Sequence, residues 1–173
     1  MDYKIDDIVL YGADGVCRIS DVTERKIGED LLRYLILTPV YNGGSTIFVP
    51  ITNEKLLSKI RAIPSESDLI DIIEKACDIS VKWIENDIER KEEFCRILDS
   101  GDTYSLICLL KSIYKHKYDR ISDGKKLHVI DERIMKEAEK VLCDETAYLL
   151  GIERESAGLF IRERLGFEEK IEV

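Results

Sequence analysis

Two hydrophobic periods divide the chain near residue 64. Before that point, short apolar runs rich in β-branched and aromatic residues are separated by turns that contain glycine or proline, as is typical of strands. "DIVLYGADGVCRISDV" holds two such runs joined by a turn at residues 12–15, and "DLLRYLILTPV" and "STIFVPI" form a second pair. Four short strands within about fifty residues predict a small, strongly bent antiparallel sheet or barrel.

Beyond Pro64 the apolar positions recur at the spacing of helices. Serine caps, a terminating Gly101 and a capping Asp102 or Thr103 mark the helix boundaries. The predicted helices begin at Ser65 or Ser67, span about 82–98, include 107–114, span about 131–150, and run from about Glu153 to near Gly166. The polar stretch "YDRISDGKKLH" separates the third helix from the fourth. The pattern predicts an α+β chain, with a β module at residues 1–63 and an all-α module at residues 64–173.

Composition narrows the class of protein. Hydrophobic residues make up 45% and charged residues 35%, as in globular proteins with an apolar core. No apolar run is long enough for a membrane helix and no basic-then-apolar leader opens the chain, so we expect the whole chain to stay in the cytoplasm. The formal charge of −9 argues against a protein that simply coats nucleic acid, and residues 64–173 carry almost all of this excess.

The residues that usually carry catalysis or bind metals form no recognisable motif. The five cysteines are scattered without a Cys-x-x-Cys pair, which favours buried free thiols over a zinc site or disulfide framework. No Gly-x-Ser-x-Gly or phosphate-binding glycine loop is present. His116 and His128 are candidate general bases, but isolated histidines near a helix end are more often solvated surface groups. We therefore expect no enzyme activity, cofactor or metal.

One segment reverses the acidic balance. Between Lys111 and Lys136, eight cations face four acidic residues, with Tyr114 and Tyr118 interleaved. Such a segment can bind several phosphates of a nucleic acid. The alternative interpretation is a helix C-terminus, whose dipole favours cations, followed by a polar loop. The segment by itself favours the second interpretation.

The single tryptophan, Trp83, stands at the start of the strongly charged pattern "SVKWIENDIERKEEF". On an ideal helix Trp83 and Phe94 lie within about 20° of each other, which predicts that both face the core. A position in the first helical turn instead allows the ring to project beyond the bundle. Spacing leaves both placements open and leans towards burial.

The assembled pattern resembles the CarD/CdnL family of bacterial transcription regulators, whose N-terminal module is shared with the polymerase-interacting domain of transcription-repair coupling factor. The resemblance is carried in chain order by "YKIDDIVLYGADGVCRI", "YLILTPV", "STIFVPITN", Trp83, "ILDSGD", "LICLLKSIY" and "DERIMKEAEKVLCDETAYLLG". It covers about residues 3–151. It implies a Tudor-like barrel that pairs an edge strand with the RNA polymerase β subunit, and a helical module that contacts promoter DNA at the upstream edge of the melted bubble.

The resemblance also assigns roles to particular residues. It implies polymerase contacts by Arg25 and by the strand residues Thr46, Ile47, Phe48, Val49 and Pro50. It implies that Trp83 is exposed and wedges into the minor groove, with cations on adjacent phosphates; the candidate DNA contacts are Trp83, Arg90, Lys115, Lys117, Arg120, Lys125 and Lys126. The expected function is regulation of promoter opening, and the alternative is a polymerase- or protein-binding module without DNA contact. An exposed strand edge leaves self-association open.

Overall fold

The computed structural model describes residues 3–28, 30–41, 43–79 and 82–167, without the side chain of Ile27. Its first part contains five strands, a short 3-10 helix and one turn of α-helix. In chain order these are β1 (Ile8–Tyr11), the 3-10 helix (Gly12–Asp14), β2 (Gly15–Ile27), β3 (Asp30–Pro39), β4 (Ile47–Pro50), α1 (Glu54–Leu57) and β5 (Ile60–Ala62). Its second part is helical: α2 (Glu66–Cys77), α3 (Asp87–Ser100), α4 (Thr103–Ser122), α5 (Val129–Leu150) and α6 (Arg154–Arg164).

The strands form one antiparallel sheet in the order β4-β3-β2-β1-β5. A register shift between Ile19 and Asp21 bends β2, which lets one strand pair with both β1 and β3. The mixed α+β class is confirmed. The predicted barrel is not, because within the described residues no ladder joins β4 to β5 and the sheet stays open. The one-turn α1 lies between these two strands in the chain, and the strand pattern predicted neither α1 nor β5.

Local capping explains where most helices begin and end. Ser65 forms a capping box with Asp68, Asp102 accepts from the Ser105 N–H, and Gly101 ends α3 in a left-handed conformation with φ 62°. Two predicted boundaries are wrong. The second helix starts at Asp87 rather than Lys82, because Asn86 accepts hydrogen bonds from the Ile88 and Glu89 N–H groups. The third continues to Ser122, through residues predicted to break it.

Each part has its own apolar core. In the sheet, Cys17, Ile19, Leu37 and Val49 are fully buried, and Leu56 and Leu57 from the α1 turn pack against this core. The helical core is larger and is drawn from α2 to α6, with α4 and α5 together contributing most of its buried side chains. All five cysteines are free, but the predicted burial holds only for Cys17, whose thiol pKa is raised by burial to about 12. Cys77, Cys108 and Cys143 are half-buried and Cys95 is exposed.

The two parts meet at a tight junction. A Cβ on Gly101 would lie 2.9 Å from the Gly12 Cα, so the end of α3 touches the backbone of the 3-10 helix directly. Lys59 pairs with Asp99 at 2.5 Å beside this contact. Glu145 of α5 is fully buried close by, and it accepts a hydrogen bond from the Thr103 hydroxyl at 2.8 Å. Burial raises the pKa of Glu145 to about 7.

Candidate functional site

The strand β4 forms one free edge of the sheet. Within the described part of the chain it pairs only with β3. Just past the ladder the Ile51 N–H donates to the Arg33 carbonyl at 2.9 Å, which sets the alternation of hydrogen bonds. Ile47 and Val49 therefore direct their backbone groups towards β3, and Phe48 directs its N–H and C=O outwards. An edge with outward-facing backbone groups is a template for an added strand.

The outer face of this edge carries a cation and an aromatic pair. The Arg25 guanidinium lies over the Phe48 ring, 4.3 Å from its centroid, and Phe48 meets Tyr34 edge-on at 6.3 Å. Arg25 from β2 and Phe48 from β4 thus come together across β3, and Phe48 stays 37% exposed. The attraction between the cation and the ring, about 0.5–1 kcal/mol at an exposed site, favours this position of the guanidinium. Tyr34, which the sequence analysis did not identify, packs against the Phe48 ring of this pair.

The other residues predicted on this strand differ in what they can offer. Thr46 is exposed immediately before β4. Ile47 and Pro50 are half-buried, and Val49 is fully buried in the sheet core. A partner at this edge would therefore contact the Phe48 and Arg25 side chains and the backbone of β4. Val49 would not contact the partner but packs in the sheet core behind the strand.

Trp83 lies outside any helix, in the segment between α2 and α3. Its indole stacks on the His116 ring with centroids 3.7 Å apart and planes 5° apart, and the Arg90 guanidinium lies over the indole at 4.6 Å. The Phe94 ring meets it edge-on at 5.8 Å. The ring is half-buried and packs against the helical core, so the free protein does not present it as the exposed wedge that the resemblance implies. The contact with Phe94 agrees with the spacing argument, although the helix assumed for it is absent.

Arg90 is placed very differently from a DNA contact. Only 5% of the residue is exposed, and its guanidinium makes two hydrogen bonds to Asp131, both at 3.0 Å. It also donates to Asp87 and to the Ile84 carbonyl. These bonds join α3 to α5 and hold the segment that carries Trp83. Arg90 therefore stabilises the segment that carries Trp83, and we do not propose it as a DNA contact.

The remaining predicted cations lie along the second half of α4 and the loop that follows it. Lys115 is exposed and lines, with Trp83, His116 and Asp119, a cleft of about 390 Å³. Arg120 donates to the Lys126 carbonyl at 2.7 Å and so orders the loop. The loop lysines and Lys117 keep exposed or half-exposed side chains, and Lys125 comes no closer than 4.0 Å to Asp123. Lys115 and Lys117 are two residues apart on α4 and therefore lie on different faces of the helix, whereas Arg120, Lys125 and Lys126 come together at its C-terminal end.

His116 gives the tryptophan site a measurable pH dependence. Burial, followed by the nearby Arg120 cation, lowers the pKa of His116 below its usual 6.5, so the stacked ring is neutral at pH 7. Because the unfolded chain binds this proton more readily, the stabilisation from the stack is present above pH 6.5 and is lost as the pH falls through the lowered pKa. Protonated imidazole also quenches indole emission more strongly than the neutral ring does.

We therefore expect the emission of Trp83 to fall on acidification with a midpoint below pH 6.5. Steady-state fluorescence between pH 8 and pH 5 measures this directly, because the chain has one tryptophan. His116→Asn should abolish the transition and His128→Asn, at the other and exposed histidine, should preserve it. An unchanged transition in His116→Asn would contradict the stack.

Other kinds of site find no support within the described residues. They contain no group of three or more histidine, cysteine or acidic side chains that could hold a metal ion. No helix among them has the length and apolar character needed to cross a bilayer.

Comparison with known proteins identifies the first part of the chain. No curated protein matches the chain. Residues 3–61 match the family model described as CarD-like/TRCF RID domain, which covers the entire sheet except the last residue of β5. This family consists of protein-interaction domains rather than enzymes. The N-terminal part of this chain is thus a CarD-like/TRCF RID domain, a module of the kind that interacts with RNA polymerase.

Proposed function

We propose that this protein is a polymerase-tethered regulator of transcription initiation. Its β module docks on the RNA polymerase β subunit by adding a strand of that subunit to β4, with Arg25 and Phe48 contacting the neighbouring side chains. The helical module then reaches promoter DNA at the upstream edge of the melted region and alters the lifetime of the open complex. The observation that carries this proposal is the free β4 edge, with its Arg25–Phe48 pair, inside the matched domain.

Charge explains why tethering matters. The chain carries a net charge of −9, so free DNA is expected to bind weakly despite the cations on α4 and in the loop after it. Docking on polymerase converts the DNA contact into an intramolecular event, and the resulting effective concentration compensates for a weak intrinsic affinity. The tight junction at Gly12 and Gly101 supports such a mechanism, because it sets the direction in which the helical module extends from the docked sheet.

The strand-addition proposal has a sharp test at Phe48. Its N–H points away from β3, so Phe48→Pro removes one outward donor without removing a ladder donor, and proline is tolerated on sheet edges. We expect Phe48→Pro to weaken binding to the purified β subunit by at least about tenfold in a calorimetric or interferometric titration, since a lost charge-free hydrogen bond and a lost aromatic contact add up. Phe48→Ala keeps the N–H and should retain part of the affinity.

A second proline substitution in the sheet provides the control. Leu31→Pro also substitutes an exposed apolar strand residue. Leu31 lies in β3 opposite Lys26 of β2, outside the ladder between β3 and β4. If Leu31→Pro folds and weakens binding as much as Phe48→Pro does, the β4 edge is not the docking strand. Wild-type protein that fails to bind the β subunit would overturn the proposed function as a whole.

An interaction module without DNA contact is the second candidate function. It is favoured by one observation, namely that Trp83 is stacked and Arg90 is buried, so two of the expected DNA contacts are engaged inside the protein. The two candidates differ at the promoter. Only the first expects reversal of the charges of Lys115, Lys117, Lys125 and Lys126 to change the open-complex lifetime.

A further inference from the structure

Glu145 lies inside the junction between the sheet and the helices, and none of its surface is exposed. Its helix, α5, packs against the 3-10 helix and β2 on the side of the sheet and also against α4. One carboxylate oxygen accepts a hydrogen bond from the Thr103 hydroxyl at 2.8 Å. The other, Oε2, is buried, and no protein donor among the described residues reaches it. A buried carboxyl group that receives a single hydrogen bond is accommodated better with its proton than without it.

The charged groups around Glu145 do not supply the cation that usually accompanies a buried carboxylate. Arg61 of β5 acts on it from the sheet, but the Arg61 guanidinium lies 3.9 Å from the Asp102 carboxylate, which shares its charge. Asp102, the cap of α4, also repels a charge on Glu145. The other titratable groups of the junction interact with one another: Tyr11 with Asp14 and Asp99, Lys59 with Asp99 and Asp14, Lys140 with Asp14 and Asp144, and Arg154 with Asp144. Burial therefore outweighs the Thr103 hydrogen bond and the Arg61 charge, and it raises the pKa of Glu145 from 4.5 to about 7.

The ion pairs that cross the junction are too exposed to hold it closed by themselves. Lys59 pairs with Asp99 and Arg61 with Asp102, and the two carboxylate side chains are 60% and 48% exposed. Such pairs contribute little to stability in water. The chain passes from the sheet to the helices once, at residues 63–65, and each part has its own core, so the two modules can separate at the junction without unfolding. Closure therefore depends on the groups buried within the junction, Glu145 among them.

We propose that Glu145 is a protonation-dependent switch between the two modules: with its proton the junction is closed, and loss of the proton favours an open junction in which water reaches the carboxylate. Because the closed junction binds this proton more tightly than the open one, Glu145 does not oppose closure below about pH 4.5, and opposes it increasingly as the pH rises to about 7. The direction in which the helical module extends from the sheet then responds to pH near neutrality.

This inference goes beyond the proposed function and does not require polymerase. The proposed docking strand β4 and the strand β5 at the junction lie at opposite edges of the sheet. Failure of the protein to bind the β subunit would overturn the proposed function and leave the switch standing. Binding to the β subunit without any response of the junction to pH would do the reverse.

Hydrogen exchange of the full chain at pH 5.5 and pH 8.5 tests the switch. The Gly12 and Gly101 amides, whose residues touch across the junction and whose N–H groups are hydrogen-bonded, report its opening. Dividing each rate by that of an unstructured chain at the same pH gives the protection of the amide. We expect this protection to fall by about ten- to thirtyfold between the two pH values, the ratio that follows from a pKa of 4.5 in the open state and about 7 in the closed state. Low urea concentrations should barely change it, because opening the junction exposes little surface compared with unfolding.

Matched variants assign the effect to one carboxyl group. Glu145→Gln keeps the shape of the side chain and an oxygen that accepts from Thr103, but it cannot ionise, and it should show nearly the same junction protection at both pH values. Glu139→Gln makes the same change elsewhere in α5, at a half-buried glutamate that accepts from the Tyr114 hydroxyl, and should keep the wild-type response. Asp14→Asn, at an exposed acid of the 3-10 helix, should keep it too.

The wild-type protein supplies a direct measurement that does not depend on any variant folding. Carbon-13 NMR of the Glu145 carboxyl should show a titration midpoint well above 4.5. A midpoint near 4.5, junction protection that is the same at both pH values, or exchange that follows global unfolding at both would each overturn the switch. A response to pH that persists in Glu145→Gln, or that is lost in Glu139→Gln or Asp14→Asn, would assign it to another group and overturn it as well.

Discussion

Replacing Arg90 with methionine is expected to lower the free energy of unfolding by about 3–5 kcal/mol, the usual cost of removing one partner of a buried ion pair. Arg90 and Asp131 are 5% and 2% exposed, and two hydrogen bonds of 3.0 Å join the guanidinium to the carboxylate. Methionine fills a similar volume but leaves the Asp131 carboxylate buried without its cation. Urea denaturation at pH 7 measures the loss.

Two further variants show that burial causes the effect. Arg96→Met removes an arginine from the same helix whose partner, Glu93, lies at 2.6 Å on the surface, and it should leave the denaturation midpoint almost unchanged. The double variant Arg90→Met/Asp131→Leu should recover much of the stability, because replacing a buried pair by apolar groups is often neutral. A double variant no more stable than Arg90→Met would show that packing around the guanidinium, and not the orphaned carboxylate, sets the loss.

Arg90→Met should also loosen Trp83. The guanidinium donates to the Ile84 carbonyl at 3.0 Å and lies over the indole, so it holds the segment that carries the tryptophan. In a variant that is still folded at 25 °C, acrylamide should therefore quench Trp83 more efficiently than in the wild type. Equal quenching in the two proteins would assign the placement of the ring to His116 and Phe94 alone.

The second large effect is expected at Gly101, where alanine should destabilise the protein by about 3–5 kcal/mol, combining left-handed backbone strain with overpacking. Gly101 has φ 62°, and a Cβ there would lie 2.8 Å from the Gly12 carbonyl carbon and overlap its oxygen. Both neighbours are backbone atoms, so no side chain can rotate away to make room. The sheet and the helices must separate locally to accept the methyl group.

Gly151 supplies a matched control. It ends α5 with φ 63°, and nothing lies within 4 Å of a Cβ placed on it. Gly151→Ala therefore carries the backbone strain alone, about 1–2 kcal/mol. The difference between the two variants, measured by denaturation under identical conditions, isolates the close approach of the two parts of the molecule. Equal destabilisation in both would mean that the junction relaxes and does not set the orientation of the helical module.

Short-range signals in the sequence were sufficient for most of the fold. A cap or a terminating glycine acts on neighbours within four residues, so Ser65, Asp102 and Gly101 mark the same boundaries in the sequence and in the structure. The β4 strand and the change from strands to helices near residue 64 follow from the period of the apolar residues. The resemblance in chain order then led to the CarD-like/TRCF RID domain, which the family match confirms for residues 3–61.

Long-range contacts decided the rest. A strand of three residues such as β5 is too short to show a period and exists because β1 offers it a ladder. The sequence predicts Arg90 as a surface cation of a charged helix, but it is buried because Asp131, which is distant in the chain, pairs with it. The sequence predicts Trp83 as a helical residue, but it lies outside the helix because Asn86 caps α3 after it. The sequence by itself determined most of the strands and helices, because caps and the period of apolar residues are local signals, but it did not determine α1 or β5. Which side chains are buried, stacked or left exposed depends on how the elements pack, and only the tertiary structure decided that.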